Sequence, residues 1–255
     1  MSLRPRVLVV GGRDPSGAGL DADRDGLAGL ELDAAYVATA DTDQDDRAVR
    51  AIGARDPRRW GAEALACAER GCEALKFGLL PGAAHVERAA RLVRELARGA
   101  GPRVVVDPVI AASSGVRFLA AGDVEALRGE LLGLSVIVTP NVPEAAELAR
   151  VPVDDLAHDP GSRIEAARIL LGLGAAAVIL KGGHGSEEPV LDLLLELGGQ
   201  PVWLPHPRTR GGRLRGSGCR FAARVAGRLA LGEPLEAATR DAGQHVAARI
   251  AAAGR

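Results

Sequence analysis

The chain has 255 residues, which is enough for one sizeable α/β domain and too few for a second large one. The formal net charge of -1 argues against a general nucleic-acid-binding protein, because such proteins carry an excess of basic side chains. Apolar residues make up 47% of the chain and aromatic residues only 2%, so we expect a core of aliphatic side chains.

Apolar runs of strand length alternate with longer amphipathic segments along the chain. The predicted strands are Arg6–Gly12, Ala34–Ala40, Glu73–Leu79, Val104–Asp107, Val136–Thr139, Val178–Lys181, Leu191–Leu197 and Val202–Pro205. The predicted helices are Leu20–Leu30, Trp60–Arg70, His85–Arg98, Arg163–Leu173, Gly218–Leu231 and Leu235–Ala253. The polar segment Asp41–Asp46 is expected to be a solvated loop.

This alternation predicts an α/β fold with a mostly parallel central sheet and helices on both faces. The last two strands are expected to form an antiparallel pair. No linker, repeat or composition shift divides the chain, so we expect a single domain over residues 1–255.

Nothing in the sequence indicates export or membrane insertion. No apolar run reaches the roughly 18 residues that a transmembrane helix needs, and no signal-peptide pattern precedes the first strand. Three cysteines, two of them in one helical segment, do not make a disulfide framework. We therefore expect a cytoplasmic protein.

The polar motifs fall where the predicted strands end. They are Gly11-Gly12, Asp107, Asn141 and Lys181-Gly182-Gly183-His184. In open parallel sheets, ligands collect beyond the carboxyl ends of the strands. These motifs are therefore expected to lie around one site.

The most informative motif is Gly216-Ser217-Gly218-Cys219, just before an apolar helix. The glycines allow a sharp turn that brings backbone N–H groups close to a ligand. The helix dipole points its positive end at the same place. This arrangement suits a phosphoryl group. The thiolate form of Cys219 would be stabilised at a helix N-terminus, although a lone cysteine can also be a small buried hydrophobe.

Several candidate residues also have plain structural interpretations. Asn141 and Glu144 can form a helix capping box or hold Mg²⁺ through water. Asp107 is either a second acidic metal partner or a turn aspartate. Lys181 either reaches a nucleotide phosphate or extends to solvent at a strand end.

Two further segments leave alternatives open. In the glycine-rich stretch Gly12–Asp23, either Asp14 or Asp23 could fix a polar group of a small ligand, or the stretch is an ordinary βα loop. It lacks the Gly-Lys-Ser/Thr ending of a Walker A motif. Six arginines either neutralise a polyphosphate or reflect an arginine-rich composition: Arg208, Arg210, Arg213, Arg215, Arg220 and Arg224.

In order and spacing, the motifs resemble the hydroxymethylpyrimidine/phosphomethylpyrimidine kinases of thiamine biosynthesis, within the ribokinase-like superfamily. The resemblance covers nearly the whole chain and rests on six segments: DPSGAGLDAD (Asp14–Asp23), KFGLL (Lys76–Leu80), DPVIAASSG (Asp107–Gly115), TPNVPEAAEL (Thr139–Leu148), LKGGH (Leu180–His184) and GSGC (Gly216–Cys219). It implies a three-layer α/β/α kinase that uses ATP and Mg²⁺, and a homodimer.

The resemblance also implies roles for individual residues. Gly216, Ser217, Gly218 and Cys219 match the anion hole and the catalytic cysteine. Lys181 and Asn141 match nucleotide-binding positions, and Asp107 and Glu144 match positions near Mg²⁺. Gly12, Asp23 and Gln44 match the lining of a pyrimidine pocket. The amide of Gln44 offers both a donor and an acceptor to an aminopyrimidine edge.

The chain departs from the family pattern mainly on the acceptor side. The first loop has one glycine fewer than the usual PSGGAG. The other departures are Arg13 for serine, Asp41-Thr42-Asp43 for apolar or small residues, Asp45-Asp46 for Asn-Thr, Ser113 for lysine, Arg215 for histidine and Arg220 for threonine. The extra carboxylates should disfavour an anionic acceptor unless nearby arginines offset them.

We therefore expect an ATP- and Mg²⁺-dependent kinase of hydroxymethylpyrimidine or its monophosphate, with no nucleic-acid or membrane partner. One alternative is a kinase of pyridoxal or another small alcohol with the same fold. A second alternative is a protein that binds a pyrimidine or nucleotide and has lost catalysis. The altered acceptor side is what supports this last possibility.

Overall fold

The fold was analysed in a computed structural model, which describes residues 4–44, 49–97, 101–112, 115–184, 188–209 and 214–254. Within these ranges the strands are β1 (Arg6–Asp14), β2 (Asp33–Gln44), β3 (Val49–Ala54), β4 (Ala74–Phe77), β5 (Arg103–Val106), β6 (Ile137–Val138), β7 (Ala177–Leu180), β8 (Val190–Glu196) and β9 (Val202–His206). The α-helices are α1 (Gly19–Leu27), α2 (Pro57–Ala68), α3 (Ala83–Leu96), α4 (Ala121–Ala126), α5 (Val142–Ala149), α6 (Val153–His158), α7 (Pro160–Gly172), α8 (Ser217–Ala230) and α9 (Leu235–Ala253).

The strands form one sheet in the order β3-β2-β1-β4-β5-β6-β7-β8-β9. Within this order, the six strands β2-β1-β4-β5-β6-β7 pair with one another in parallel. The outer strands β3, β8 and β9 add antiparallel pairs. The predicted mostly parallel sheet is therefore confirmed, and so is the antiparallel pair at the end of the chain.

Each face of the sheet is covered by helices. On one face, side chains such as Val9 and Ile179 pack against α1, α8 and α9. On the other face, side chains such as Leu8 and Val178 pack against α2, α3, α5 and α7. Aliphatic residues alternate between the two faces along each strand, which gives the predicted three layers.

The expectation of a solvated loop at Asp41–Asp46 is wrong for its first four residues. Asp41–Gln44 continue β2 and pair antiparallel with β3, a strand that the sequence analysis did not predict. Arginines stabilise the carboxylates in this extended conformation: Arg55 lies 2.9 Å from Asp41 and Arg50 lies 2.9 Å from Asp43. Asp45 and Asp46 lie outside the described residues.

Helix α8 is bound to its neighbours by buried arginines. Arg224 donates to the Asp241 carboxylate of α9 at 2.5 Å and to the Ala28 carbonyl after α1 at 2.9 Å. Arg220 reaches the Asp25 carboxylate of α1 at 2.5 Å. These two arginines therefore connect helices and are not free to neutralise a polyphosphate, while Arg210 and Arg213 lie outside the described residues.

None of the described helices is long and apolar enough to cross a membrane.

Candidate active site

The residues predicted at the ends of four parallel strands lie at one edge of the sheet. Gly12 lies near the end of β1, and Asp107 follows β5 directly. Asn141 follows β6, and Lys181 follows β7. A bridge between Asn141 and Lys181 and a hydrogen bond from the Lys181 N–H to the Pro140 carbonyl, at 2.8 Å, hold the last two together. The structure thus brings together the strand-end residues that the sequence predicted.

A buried ion pair forms the centre of this edge. The Lys181 ammonium lies 2.9 Å from Oδ1 of Asp107, and the Asp107 side chain is 3% exposed. Burial lowers the pKa of Lys181, but the charges of Asp107 and Glu144 outweigh it and raise the pKa above its usual value. Lys181 therefore carries a positive charge at neutral pH, and the interpretation of a lysine reaching into solvent is wrong.

Residues 216–218, called the glycine turn, begin α8 and lie against this ion pair. Gly216 has φ 71°, a left-handed conformation that favours glycine. A Cβ on Gly216 would lie 2.7 Å from Cβ of Ala22, and one on Gly218 would lie 3.0 Å from Nζ of Lys181. The N–H groups of the first turn of α8 have no partners within the helix, so the turn presents N–H donors and a dipole beside the Lys181 ammonium.

Cys219, in the first turn of α8, lies within the electrostatic range of Lys181 and of a second lysine, Lys76. Burial raises the pKa of the Cys219 thiol to about 12, although the two lysines oppose this shift. Desolvation, together with the charges of Asp23 and Asp107, outweighs both ammonium groups, although the residue is partly exposed. The expected thiolate is therefore disfavoured in the protein without ligands.

Asn141 and Glu144 form the capping box of α5. Oδ1 of Asn141 accepts from the Glu144 N–H at 2.9 Å, and Oε2 of Glu144 accepts from the Asn141 N–H at 2.8 Å. Burial raises the pKa of Glu144 to about 7, with a further contribution from the Asp107 charge and opposition from Lys181. The cap is real, and it places a second carboxylate close to Asp107 and Lys181.

These two carboxylates are a partial donor set for a hard cation. Asp107 and Glu144 supply the oxygen ligands that Mg²⁺ prefers. Among the described residues, no group of three or more acidic, histidine or cysteine side chains could hold a metal ion by itself. The residues fit a Mg²⁺ that keeps most of its water or phosphate ligands, which is how the ion is usually bound beside a nucleotide.

Asp23 forms a second buried ion pair, with Lys76 of β4. Its Oδ1 lies 2.8 Å from the Lys76 ammonium, and the two side chains are 1% and 0% exposed. Oδ2 of Asp23 is buried without a hydrogen-bond partner in the described structure. Burial raises the pKa of Asp23 to about 6 even though Lys76 opposes it. The sequence analysis gave Lys76 no role of its own, although it begins the KFGLL segment of the family resemblance and is a charged residue in an apolar strand.

The remaining predicted residues are placed less completely. A Cβ on Gly12 would lie 2.8 Å from Cδ2 of Leu79, so the backbone of Gly12 packs closely against the segment that follows β4. Gln44 ends β2, but its side chain is not among the described ones. Ser113 also lies outside the described residues. The structure therefore does not test the assignments of Gly12, Asp23 and Gln44 to a substrate pocket.

The Asp23–Lys76 pair yields a prediction about stability and pH. Lys76→Met leaves a buried carboxylate without its counter-charge, so the free energy of unfolding at pH 8 should fall by about 3–5 kcal/mol. The pKa of Asp23 should then rise above 6 in the folded state. Since the folded state binds this proton more tightly than the unfolded chain does, stability should increase as the pH falls from 8 to 5.

Urea unfolding at several pH values measures this effect. The double variant Asp23→Asn/Lys76→Met is the control, since it should lose the added pH dependence and regain part of the stability. A Lys76→Met protein that unfolds like the wild type, or becomes less stable toward pH 5, would contradict the prediction.

Comparisons with known proteins show the family of this chain. The family model described as phosphomethylpyrimidine kinase matches residues 14–255. A hydroxymethylpyrimidine/phosphomethylpyrimidine kinase of Streptomyces coelicolor is 35% identical over 97% of this chain and 89% of that protein. An enzyme of the same name from Bacillus subtilis is 31% identical over 93% of this chain and 86% of its own.

Solved structures of related kinases share the fold. The pyridoxal kinase of Staphylococcus aureus, in complex with AMP-PCP and pyridoxal, superposes with a TM-score of 0.84 and 27% identity, over 98% of this chain and 89% of that one. A phosphomethylpyrimidine kinase of Clostridium difficile superposes with a TM-score of 0.76 and 25% identity, over 96% and 99% of the two chains. The chain therefore belongs to the phosphomethylpyrimidine kinase family and is a small-molecule phosphotransferase with the ribokinase-like fold.

Proposed function

We propose that this protein transfers the γ-phosphoryl group of ATP to hydroxymethylpyrimidine or to its monophosphate, with Mg²⁺, as a step of thiamine biosynthesis. The observation that carries the proposal is the meeting of the Lys181–Asp107 pair with the glycine turn of α8, where a Cβ on Gly218 would lie 3.0 Å from Nζ of Lys181. Support from relatives comes from the hydroxymethylpyrimidine/phosphomethylpyrimidine kinase of Streptomyces coelicolor, which is 35% identical.

The chain supplies positive charge where a phosphoryl group in transfer is negative. The first turn of α8 would supply backbone N–H groups, the Lys181 ammonium lies against Gly218 of that turn, and Asn141 lies beside the lysine. In phosphoryl transfer, catalysis comes mainly from positioning and charge neutralisation. Asp107 holds the Lys181 ammonium in place through their hydrogen bond of 2.9 Å.

Asp107 and Glu144 are the residues that would hold Mg²⁺. When bound, the ion neutralises charge on the phosphate oxygens. Without it, the pKa of Glu144 is raised to about 7 by burial and by the Asp107 charge. Burial makes the ionised form of this carboxylate unfavourable, and a bound cation would stabilise that form.

Cys219 would act as a neutral thiol against the acceptor. Its pKa of about 12 leaves too little thiolate at neutral pH for it to take the hydroxyl proton as an anion. A thiol still packs against a ring and accepts weak hydrogen bonds. Of the two roles implied by the family resemblance, we therefore favour holding the acceptor.

Asp23, Gly12 and Gln44 would bind the pyrimidine. Oδ2 of Asp23 is free to accept a hydrogen bond in the described structure, and an aminopyrimidine offers such donors. Arg13, Arg50 and Arg55 outnumber the two carboxylates Asp41 and Asp43 that they pair with. These arginines offset two of the four extra carboxylates, while Asp45 and Asp46 lie outside the described residues, and the monophosphate stays among the proposed substrates.

A second candidate acceptor is pyridoxal. Its support is the superposition, with a TM-score of 0.84, on the Staphylococcus aureus kinase solved with AMP-PCP and pyridoxal. Loss of catalysis is the third possibility, and it rests on the altered acceptor side described above. The homodimer implied by the family resemblance stays a prediction.

The function is tested by ADP release from Mg-ATP with three acceptors in parallel: hydroxymethylpyrimidine, its monophosphate and pyridoxal. We expect release with one or both pyrimidines, because the nucleotide-side residues match the family pattern and Oδ2 of Asp23 could accept a hydrogen bond from the ring. Release with pyridoxal alone would move the acceptor and keep the kinase. Binding of ATP without release on any acceptor would contradict the proposal.

Glu144→Gln separates the two interpretations of the capping box. The Gln side chain can still accept from the Asn141 N–H, so the free energy of unfolding should stay within about 1 kcal/mol of the wild type. The charge is lost, so the Mg²⁺ concentration for half-maximal turnover should rise about tenfold or more. Mg²⁺ titrations of ADP release and urea unfolding measure the two effects. An unchanged Mg²⁺ requirement would leave Glu144 as a cap alone.

A further inference from the structure

Arg220, the residue after Cys219, holds three separate parts of the chain. Its side chain is buried, with the residue 7% exposed. The guanidinium donates from Nε to Oδ2 of Asp25 at 2.5 Å and from Nη1 to the carbonyl of Arg215. Nη2 lies 3.5 Å from the carbonyl of Gly17. One guanidinium therefore contacts helix α1, the residue before the glycine turn, and the loop between β1 and α1 (residues 15–18), called the first loop.

A second link joins the same two segments. Nη2 of Arg215 lies 3.2 Å from Oδ2 of Asp14, and Oδ1 of Asp14 accepts from both the N–H and the hydroxyl of Ser16. Between these links, a Cβ on Gly216 would lie 2.9 Å from Cα of Ala18. The first loop and the glycine turn are thus in direct contact, with an arginine on each side of the contact.

The geometry of this contact depends on a planar donor. A guanidinium presents its N–H groups in a rigid fork and can serve a carboxylate and two carbonyls at once, whereas a lysine ammonium is a point charge on a flexible stem. Asp25 balances the buried charge and is itself paired with Arg249 at 2.8 Å. The fork therefore fixes the Arg215 carbonyl, and with it the backbone that enters the turn.

We propose that Arg220 is a positioning residue for phosphoryl transfer. It acts through the backbone of Gly216–Gly218, whose N–H groups it keeps aligned beside Lys181, and it does not touch the phosphate. The proposal rests on the proposed function of the glycine turn. It assigns a role to Arg215 and Arg220, two residues at which this chain departs from the histidine and threonine of the family pattern.

The test compares Arg220→Lys with Arg224→Lys. Arg224 lies one turn further along α8, is 9% exposed, and pairs with Asp241 and a carbonyl after α1. Both variants keep the positive charge but replace a buried guanidinium with an ammonium group. Misplacement of catalytic groups by about 1 Å can cost about 100-fold in rate, so Arg220→Lys should lower kcat about tenfold or more. The KM for ATP should change less than about threefold.

Arg224→Lys should lower the melting temperature as much as Arg220→Lys does, yet keep kcat per folded molecule within about twofold of the wild type. Wild-type kcat in Arg220→Lys would overturn the proposal. An equal loss of kcat in both variants would overturn it as well, since buried arginines of this helix would then act only through stability.

Amide hydrogen exchange gives a readout that needs no acceptor. Peptides covering residues 214–221 should exchange faster in Arg220→Lys than in the wild type, and those of Arg224→Lys should not. Unchanged exchange in Arg220→Lys would overturn the proposal, and this holds even if the wild-type protein shows no turnover with any acceptor. Failure of the proposed function and failure of this positioning role are therefore distinguishable. If Arg220→Lys cannot be purified, Asp25→Asn takes its place, because it removes the negative charge that pairs with the Arg220 guanidinium. It should show both the lower kcat and the faster exchange of residues 214–221.

Discussion

Two buried lysine–carboxylate pairs, Lys181–Asp107 and Lys76–Asp23, constrain the carboxyl edge of the sheet. Their nitrogen–oxygen distances are 2.9 and 2.8 Å, and both act on the pKa of Cys219 between them. A charge in a region of low dielectric is tolerated only when its partner is held in place. The four residues come from α1, β4 and the ends of β5 and β7, so each pair joins segments that are far apart in the chain.

Helix α8 packs its first turn against this edge. Its first turn presents N–H groups beside Lys181, and its buried arginines bind it to α1 and α9. Close contact between helices makes this possible, since a Cβ on Gly26 of α1 would lie 2.5 Å from the carbonyl oxygen of Arg220. Arg220, which pairs with Asp25 of α1, is the residue proposed to set the position of these N–H groups.

Local patterns in the sequence predicted most of this arrangement. Strand and helix periodicity gave the layers, and polar residues at strand ends identified Lys181, Asp107 and Asn141. The Asp23–Lys76 pair joins residues 53 positions apart, and such a contact leaves no periodic trace. The hairpin of β2 and β3 was missed because Asp41 and Asp43 indicated a loop, while their counter-charges come from other segments. The thiolate expected at Cys219 was wrong because helix position was visible in the sequence and burial was not.

The central claim is that the glycine turn and the Lys181 ammonium form one phosphoryl site, and the most direct measurement is turnover by Gly218→Ala. The added Cβ would lie 3.0 Å from Nζ of Lys181, so the ammonium must move away from the turn. We predict a folded protein with turnover reduced about tenfold or more. Gly172→Ala, at an open position of α7, should leave turnover unchanged. Wild-type turnover in folded Gly218→Ala would contradict the account.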